Sequence, residues 1–271
     1  METAPLPYAD AHVHLQEEVY EDHLPGVIER AREAGVALFI SNATHPDDWE
    51  RTLAIAERYE GVVPCLGVHP WFLDHGHSDW LPRLRDLLLA SGALVGEVGL
   101  DGLKTGTPLE AQRVVLEHQL DLAQSLRRPV MLHGVRAFGH LAEILARRAP
   151  WQAPFVMHAF AGSPEIVQRL AAMGGYFSYG GYVLDERHRK ARRALLHTPL
   201  DRLLIESDAP AMLPPEGYRP HTIQEPSGDV WNEPANIPAM VAGVAALLGL
   251  DADVLREMLW TNLQRLLEGP R

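Results

Sequence analysis

Cysteine is nearly missing from this chain. Cys65 is the only one in 271 residues, so neither an intramolecular disulfide nor a thiolate metal cluster can form. In the run Val62-Val63-Pro64-Cys65-Leu66 it reads as a small buried hydrophobe. Basic charge is also scarce: 24 Lys and Arg stand against 36 Asp and Glu, a formal net charge of −12. That balance excludes a broad, salt-driven track for nucleic acid. Long apolar runs are absent too. The longest uncharged one, Ala239 to Leu250, has 12 residues, short of the roughly 17–25 that span a bilayer. The start, Met1-Glu2-Thr3-Ala4-Pro5, shows no basic region followed by an apolar stretch, so no signal peptide, no membrane contact and a cytoplasmic address are expected.

What is present is an ordinary globular composition, 46% hydrophobic and 22% charged, without low-complexity tracts, strict repeats or linkers. Short apolar runs alternate with longer amphipathic stretches. Strand candidates begin near Ala9, Ala37, Val62, Ala93, Pro129, Phe155, Gly175 and Leu203. Runs such as Ala37-Leu38-Phe39-Ile40 and Pro129-Val130-Met131-Leu132 are continuous hydrophobics, as expected of parallel strands buried on both faces. Between them, Glu110 to Leu126 places Val115, Leu122 and Leu126 at near-helical spacing, with Glu110, Arg113, Glu117 and Asp121 turned outward. Eight strands with intervening helices predict an α/β fold, a single-domain (β/α)8 TIM barrel over residues 1–271. Ala209 to Glu233 is rich in Pro and Gly and reads as a long functional loop. A closing helix is expected from Pro234. A helical tail follows from Asp251, its stripe of Leu255, Leu259, Leu263 and Leu266 serving packing.

Polar residues gather where the strand candidates end. The first strand runs into Asp10-Ala11-His12-Val13-His14, and alternation turns His12 and His14 to the same side. The fourth ends in Gly96-Glu97-Val98-Gly99-Leu100-Asp101, the fifth at His133, the sixth at His158 and the eighth at Glu206-Ser207-Asp208. Active sites of such barrels are built at this rim. Four imidazoles and two carboxylates converging there would be costly buried polar groups unless partnered. Any one of them alone reads as a satisfied rim residue; together they read as a metal centre. His23, His45, His75, His77, His140, His188, His197 and His221 read as loop or helix-surface residues. Asp10 reads as a hydrogen-bond acceptor for nearby backbone, and Asp101 as a turn residue before Gly102. Ser207 is expected to face away from Asp208 and to tolerate alanine.

In these motifs the chain resembles the TatD family of metal-dependent hydrolases, within the amidohydrolase superfamily. The matching segments also include Gly67-Val68-His69-Pro70, Met157-His158-Ala159-Phe160-Ala161-Gly162-Ser163, Glu206-Ser207-Asp208-Ala209-Pro210 and Asn232-Glu233-Pro234, in family order over about residues 8 to 236. The resemblance implies a two-metal site. His12, His14 and Asp208 would hold one ion, His133 and His158 the second, and Glu97 would bridge them. Two segments depart from many relatives. Gly102-Leu103-Lys104 stands where an aromatic or basic run is common, and His133-Gly134-Val135-Arg136 where His-Ser-Arg is common. Both departures lie on the substrate rim.

Histidine and carboxylate without thiolate suit Zn²⁺, Mn²⁺ or Mg²⁺. Asp208 and Glu97 are the expected catalytic residues, with Asp208 orienting a water and taking its proton. Glu206 is expected to orient a ligand or substrate. His69 and Arg136 are expected to contact a substrate phosphate, and Asn232 and Glu233 to shape the pocket edge. The resemblance favours phosphodiester hydrolysis at DNA ends, since bound cations reverse the local field of an acidic protein. Three alternatives stay open: hydrolysis of a small ester, lactone or amide at the same site, a deaminase-like single-metal site, and a non-enzymatic metal-binding barrel. The substrate is therefore a small molecule or a nucleic-acid end, with no obligate protein partner.

Overall fold

The computed structural model describes residues 5–73, 79–104 and 106–268; Met1 to Ala4, His75 and His77 lie outside them. Eight parallel strands follow one another around the sheet in chain order. They are β1 (Tyr8–Val13), β2 (Val36–Asn42), β3 (Val62–Leu66), β4 (Leu94–Asp101), β5 (Val130–Val135), β6 (Phe155–Met157), β7 (Tyr176–Tyr179) and β8 (Leu203–Ile205). Each starts within a residue of its expected position. The ring closes through backbone bonds just past β8: Asp208 N–H donates to the His12 carbonyl at 3.0 Å, and His14 N–H to the Ala209 carbonyl at 2.8 Å.

Helices α1 (Leu24–Glu33), α2 (Trp49–Arg58), α3 (Trp80–Ser91), α4 (Leu109–Leu126), α5 (Phe138–Arg147), α6 (Pro164–Ala171) and α7 (Arg189–Leu195) connect the strands, and α8 (Ile237–Leu248) and α9 (Ala252–Glu268) complete the chain. Proline sits in the first turn of α1, α6 and α8, where its missing N–H costs nothing. Helix α8 stops at Gly249, whose left-handed φ of 68° is the usual glycine solution to a helix end. In α4 the buried face is set by Leu116, Leu120 and Ala123 together with two glutamines, rather than by Val115, which is only half-buried. Gln112 brackets the backbone of Asp101, and Gln119 that of Val68, each amide both donating and accepting at 2.7–3.1 Å. Two turns of helix thus pin the ends of β3 and β4.

The core has two layers. One lies between the strands and the helices around them. The other fills the barrel itself, with Ala11, Leu38, Ile40, Cys65, Leu94, Met131, Val156, Tyr176 and Leu204 meeting Leu263 and Leu266 of α9. All four leucines of the tail stripe are buried, and Asn262 donates to the carbonyls of Leu200 and Leu203 at the start of β8. The tail therefore plugs the end of the barrel where strands begin, leaving the opposite rim for chemistry. Among the described residues no single helix is long and apolar enough to cross a membrane.

The Pro- and Gly-rich stretch is more ordered than expected. It contains an antiparallel hairpin of β9 (Thr222–Gln224) and β10 (Val230–Asn232), with Trp231 opposite Ile223. Asn232 and Glu233 are buried, so they do not shape a pocket edge as expected. Asn232 donates to the Ser207 carbonyl at 2.8 Å, and Glu233 pairs with Arg30 of α1 at 2.8 and 3.0 Å. Asn232 thus fastens the hairpin to the chain that carries Asp208, and Glu233 fastens it to α1.

Candidate functional site

The expected ligands do converge, and Glu97 stands at their centre. Its Oε2 lies 3.2 Å from His12 Nε2 and 3.5 Å from His14 Nε2. Its Oε1 lies 2.9 Å from both His133 Nδ1 and His158 Nε2, and 3.3 Å from His69 Nε2. Asp208 Oδ1 joins the first half only, 3.3 Å from His14 Nε2 and 3.8 Å from His12 Nε2. One carboxylate oxygen per histidine group is the geometry a bridging ligand needs. β4 can deliver Glu97 this deep because Gly99 lets it press against β5: a Cβ at Gly99 would stand 2.0 Å from the His133 carbonyl oxygen.

Hydrogen bonds at the far side of each ring decide which nitrogen carries a lone pair. His14 Nδ1–H donates to the Asn42 carbonyl at 2.7 Å, so Nε2 is the nitrogen that faces Glu97 and Asp208. His133 Nε2–H donates to Asp101 Oδ2 at 3.1 Å, turning its Nδ1 lone pair inward. His158 Nδ1 faces Glu206 Oε1 at 3.5 Å, a charge contact rather than a hydrogen bond, leaving Nε2 inward. His69 is reversed: its Nδ1 accepts from Trp71 N–H at 3.2 Å, so its Nε2 carries the hydrogen and points at Glu97 as a donor. His12 is held edge-on to His14 and stacked 3.9 Å from His158; its Nδ1 has no hydrogen-bond partner among the described residues.

Lone pairs of His14, His133 and His158 thus crowd a buried carboxylate, which is stable only if cations, protons or metal ions, stand between them. The charge balance says the same. Burial disfavours the Glu97 charge, yet the surrounding imidazoles, His158 foremost, outweigh it and hold the carboxyl well below its usual range. Burial likewise lowers His14, but the Asp208 hydrogen bond and the Glu97 charge win and push it up to about 9. His158 and His133 are raised against burial by their carboxylate partners. His12 goes down, from burial and from His158. Burial lowers His69 to about 4, so it stays neutral. The carboxylates thus favour positive charge at His14, His133 and His158, where a divalent ion would take the place of the protons. Three donor triads have all their ligand atoms within 4.8 Å: His12, His14 and Glu97; His69, Glu97 and His133; and His12, His158 and Glu206. The residues fit metal ions.

A family model described as TatD related DNase matches residues 9–268. The chain belongs to that family. The metal-dependent hydrolase YjjV of Escherichia coli (strain K12) is 32% identical, over 97% of this chain and 98% of its own. The 3'-5' ssDNA/RNA exonuclease TatD of Cronobacter sakazakii is 36% identical, over 89% of this chain and 90% of its own. The crystal structure of YjjV superposes with a TM-score of 0.86, at 31% identity over 97% and 98% of the two chains. This chain is accordingly a TatD-type, nuclease-like hydrolase on a TIM barrel, with His and Glu clusters able to hold metal ions.

Behind the candidate ligands lie residues whose work the sequence did not disclose. Asp101 is more than a turn residue. Its Oδ1 accepts from the N–H groups of Leu103 and Lys104 at 2.7 and 2.9 Å, while its Oδ2 takes His133 and the Trp71 indole N–H, the latter at 2.7 Å. Glu206 is fully buried and spent on Ala159 N–H at 2.7 Å, on the Ser178 hydroxyl and on His158. It orients His158 from behind and has no surface to offer a substrate. Asp10 accepts from Ser207 N–H at 2.8 Å, from the Ser207 hydroxyl and, at 3.3 Å, from His12 N–H. Ser207 does face away from Asp208, but not into empty space. Arg136 is exposed at the rim after β5, at a φ of 51°. The remaining described histidines of the surface group are exposed or half-buried, as expected.

Proposed function

We propose that this enzyme hydrolyses phosphodiester bonds at nucleic-acid ends, using two divalent ions held by His12, His14 and Asp208 on one side and His133 and His158 on the other, with Glu97 shared between them. The split of the Glu97 carboxylate, one oxygen toward each histidine group, carries this reading. Zn²⁺, Mn²⁺ or Mg²⁺ suits such donors. Bound ions of this kind polarise a phosphoryl oxygen and make water acidic near neutral pH.

The chain's own residues do the rest. Asp208 stands at the edge of the His12–His14 group, where its carboxylate orients the attacking water and takes its proton. Its own carboxyl is kept ionised because the His14 hydrogen bond outweighs burial. The neutral Nε2–H of His69 reaches the same space as Glu97 Oε1 and donates to a phosphoryl oxygen. Arg136, at the rim, meets a flanking phosphate. Asp101 and Glu206 hold the His133 and His158 rings in their ligating orientation.

The test is a substrate panel, with each metal ion supplied in turn: a single-stranded oligonucleotide, its duplex, a nitrophenyl carboxylate, a lactone and an amide. The expected result is fastest turnover of the single-stranded end. Lactone or amide turnover without nuclease activity would replace this reading with the small-molecule one.

A further inference from the structure

At the mouth of the site one side chain is out of keeping with the rest. Of six tryptophans, all among the described residues, only Trp71 is exposed, at 43%. An indole exposed beside a candidate site offers a flat apolar face with a polar edge to a ligand. Nor is it loose. It sits on the short helical turn Pro70–Phe72 just after β3, its N–H fixed to Asp101 Oδ2 at 2.7 Å. Its ring stands edge-on to His69 at 4.9 Å and lies 5.9 Å from His133. The Lys104 ammonium lies over it, 4.3 Å from the ring centroid. Lys104 belongs to the Gly102-Leu103-Lys104 segment, which Asp101 holds by its backbone. One carboxylate therefore fixes a candidate metal ligand, a partly exposed indole and the backbone that carries Lys104 in a single frame.

We propose that Trp71 is a stacking platform for an unpaired nucleobase and that Lys104 neutralises the phosphate of the same nucleotide, so that the pair selects single-stranded ends. An indole face accepts any base, whereas a base inside a duplex has no face to offer it. A net charge of −12 repels a polyanion, so a local cation beside the stacking face matters more here than it would on a basic protein. The inference rests on the phosphodiester reading above, deepening it into a preference for unstacked ends.

The test measures binding as well as turnover. Fluorescence anisotropy on the full, metal-supplied protein would compare a thymidylate hexamer carrying phosphorothioate linkages with the same chain bearing tetrahydrofuran in place of every nucleoside. Base stacking should favour the thymidylate by about tenfold. Trp71→Leu should abolish that preference, Trp71→Phe should keep most of it, and Lys104→Gln should weaken both ligands alike. Equal binding of both ligands by the natural protein, no binding of either, or a preference that survives Trp71→Leu would each overturn the proposal. So would equal losses in Trp71→Phe and Trp71→Leu, which would mean that Trp71 acts only through its bond to Asp101. If the preference behaves as expected but the unmodified hexamer is never cleaved, the platform stands and the phosphodiester reading falls.

Discussion

Asp208 occupies a left-handed backbone position, φ 51°, which Asp and Asn tolerate better than other non-glycine residues. Asp208→Asn therefore keeps the backbone and removes only the charge. Loss of general-base help should lower the rate by about 10²–10⁴-fold at full metal supply, with little change in the denaturation midpoint. Ser207→Ala should do the opposite. It strips a hydroxyl from Asp10, whose carboxyl burial already raises to about 7, and should cost about 1–3 kcal/mol of stability in urea titration while leaving more activity than Asp208→Asn. A Ser207→Ala protein as stable as the natural one would contradict the Asp10 contact. His14 supplies a test of the metal itself. With its pKa at about 9 in the metal-free site, it holds a proton at neutral pH that must leave before an ion can bind. Metal affinity should fall as pH falls, about tenfold per unit for each proton displaced. Calorimetry in buffers of different ionisation heat would count those protons, and an affinity flat with pH would rule out His14 as a ligand.

Among the elements, β4 and β5 approach each other closely at Gly99. Gly99→Ala would drive a methyl group into the His133 carbonyl. Backbone cannot yield as a side-chain tip can, so the strands must part, at a cost of about 3 kcal/mol. Because β5 carries His133, metal content should drop with stability. A Gly99→Ala variant with normal metal content and midpoint would show that the strands are not so tightly paired. The segments just past β5, β6 and β8 share another feature: Arg136, Ala159 and Asp208 have φ values of 51°, 43° and 51°. Unusual backbone of this kind collects where side chains must be aimed, and all three turns lie on the rim that bears the candidate ligands.

For the molecule as a whole, stability and chemistry are built at opposite ends of the barrel. Helix α9 closes the end where strands begin with Leu263 and Leu266, and the histidines line the other. Chelation should therefore abolish activity while the helical circular dichroism persists. A collapse of that signal on chelation would make the ions structural and would also undercut the catalytic reading.

Local chemistry decided a good deal in advance. Short apolar runs such as Leu38-Phe39-Ile40 suit strands covered on both faces, and eight of them in alternation with helices leave a barrel as the economical fold. His12, His14, Glu97, His133, His158 and Asp208 could be picked out because strand ends all open onto one rim. Only the tertiary structure decided which nitrogen each ring turns inward, since that depends on acceptors far away in sequence: the Asn42 carbonyl for His14, Asp101 for His133, Glu206 for His158. The same holds for Asn232 and Glu233, which read as pocket residues and proved to be fastenings to Ser207 and Arg30. Periodicity records which face of an element is buried, a property of neighbours in the chain. A hydrogen-bond partner is a property of neighbours in space, and no spacing in the sequence encodes it.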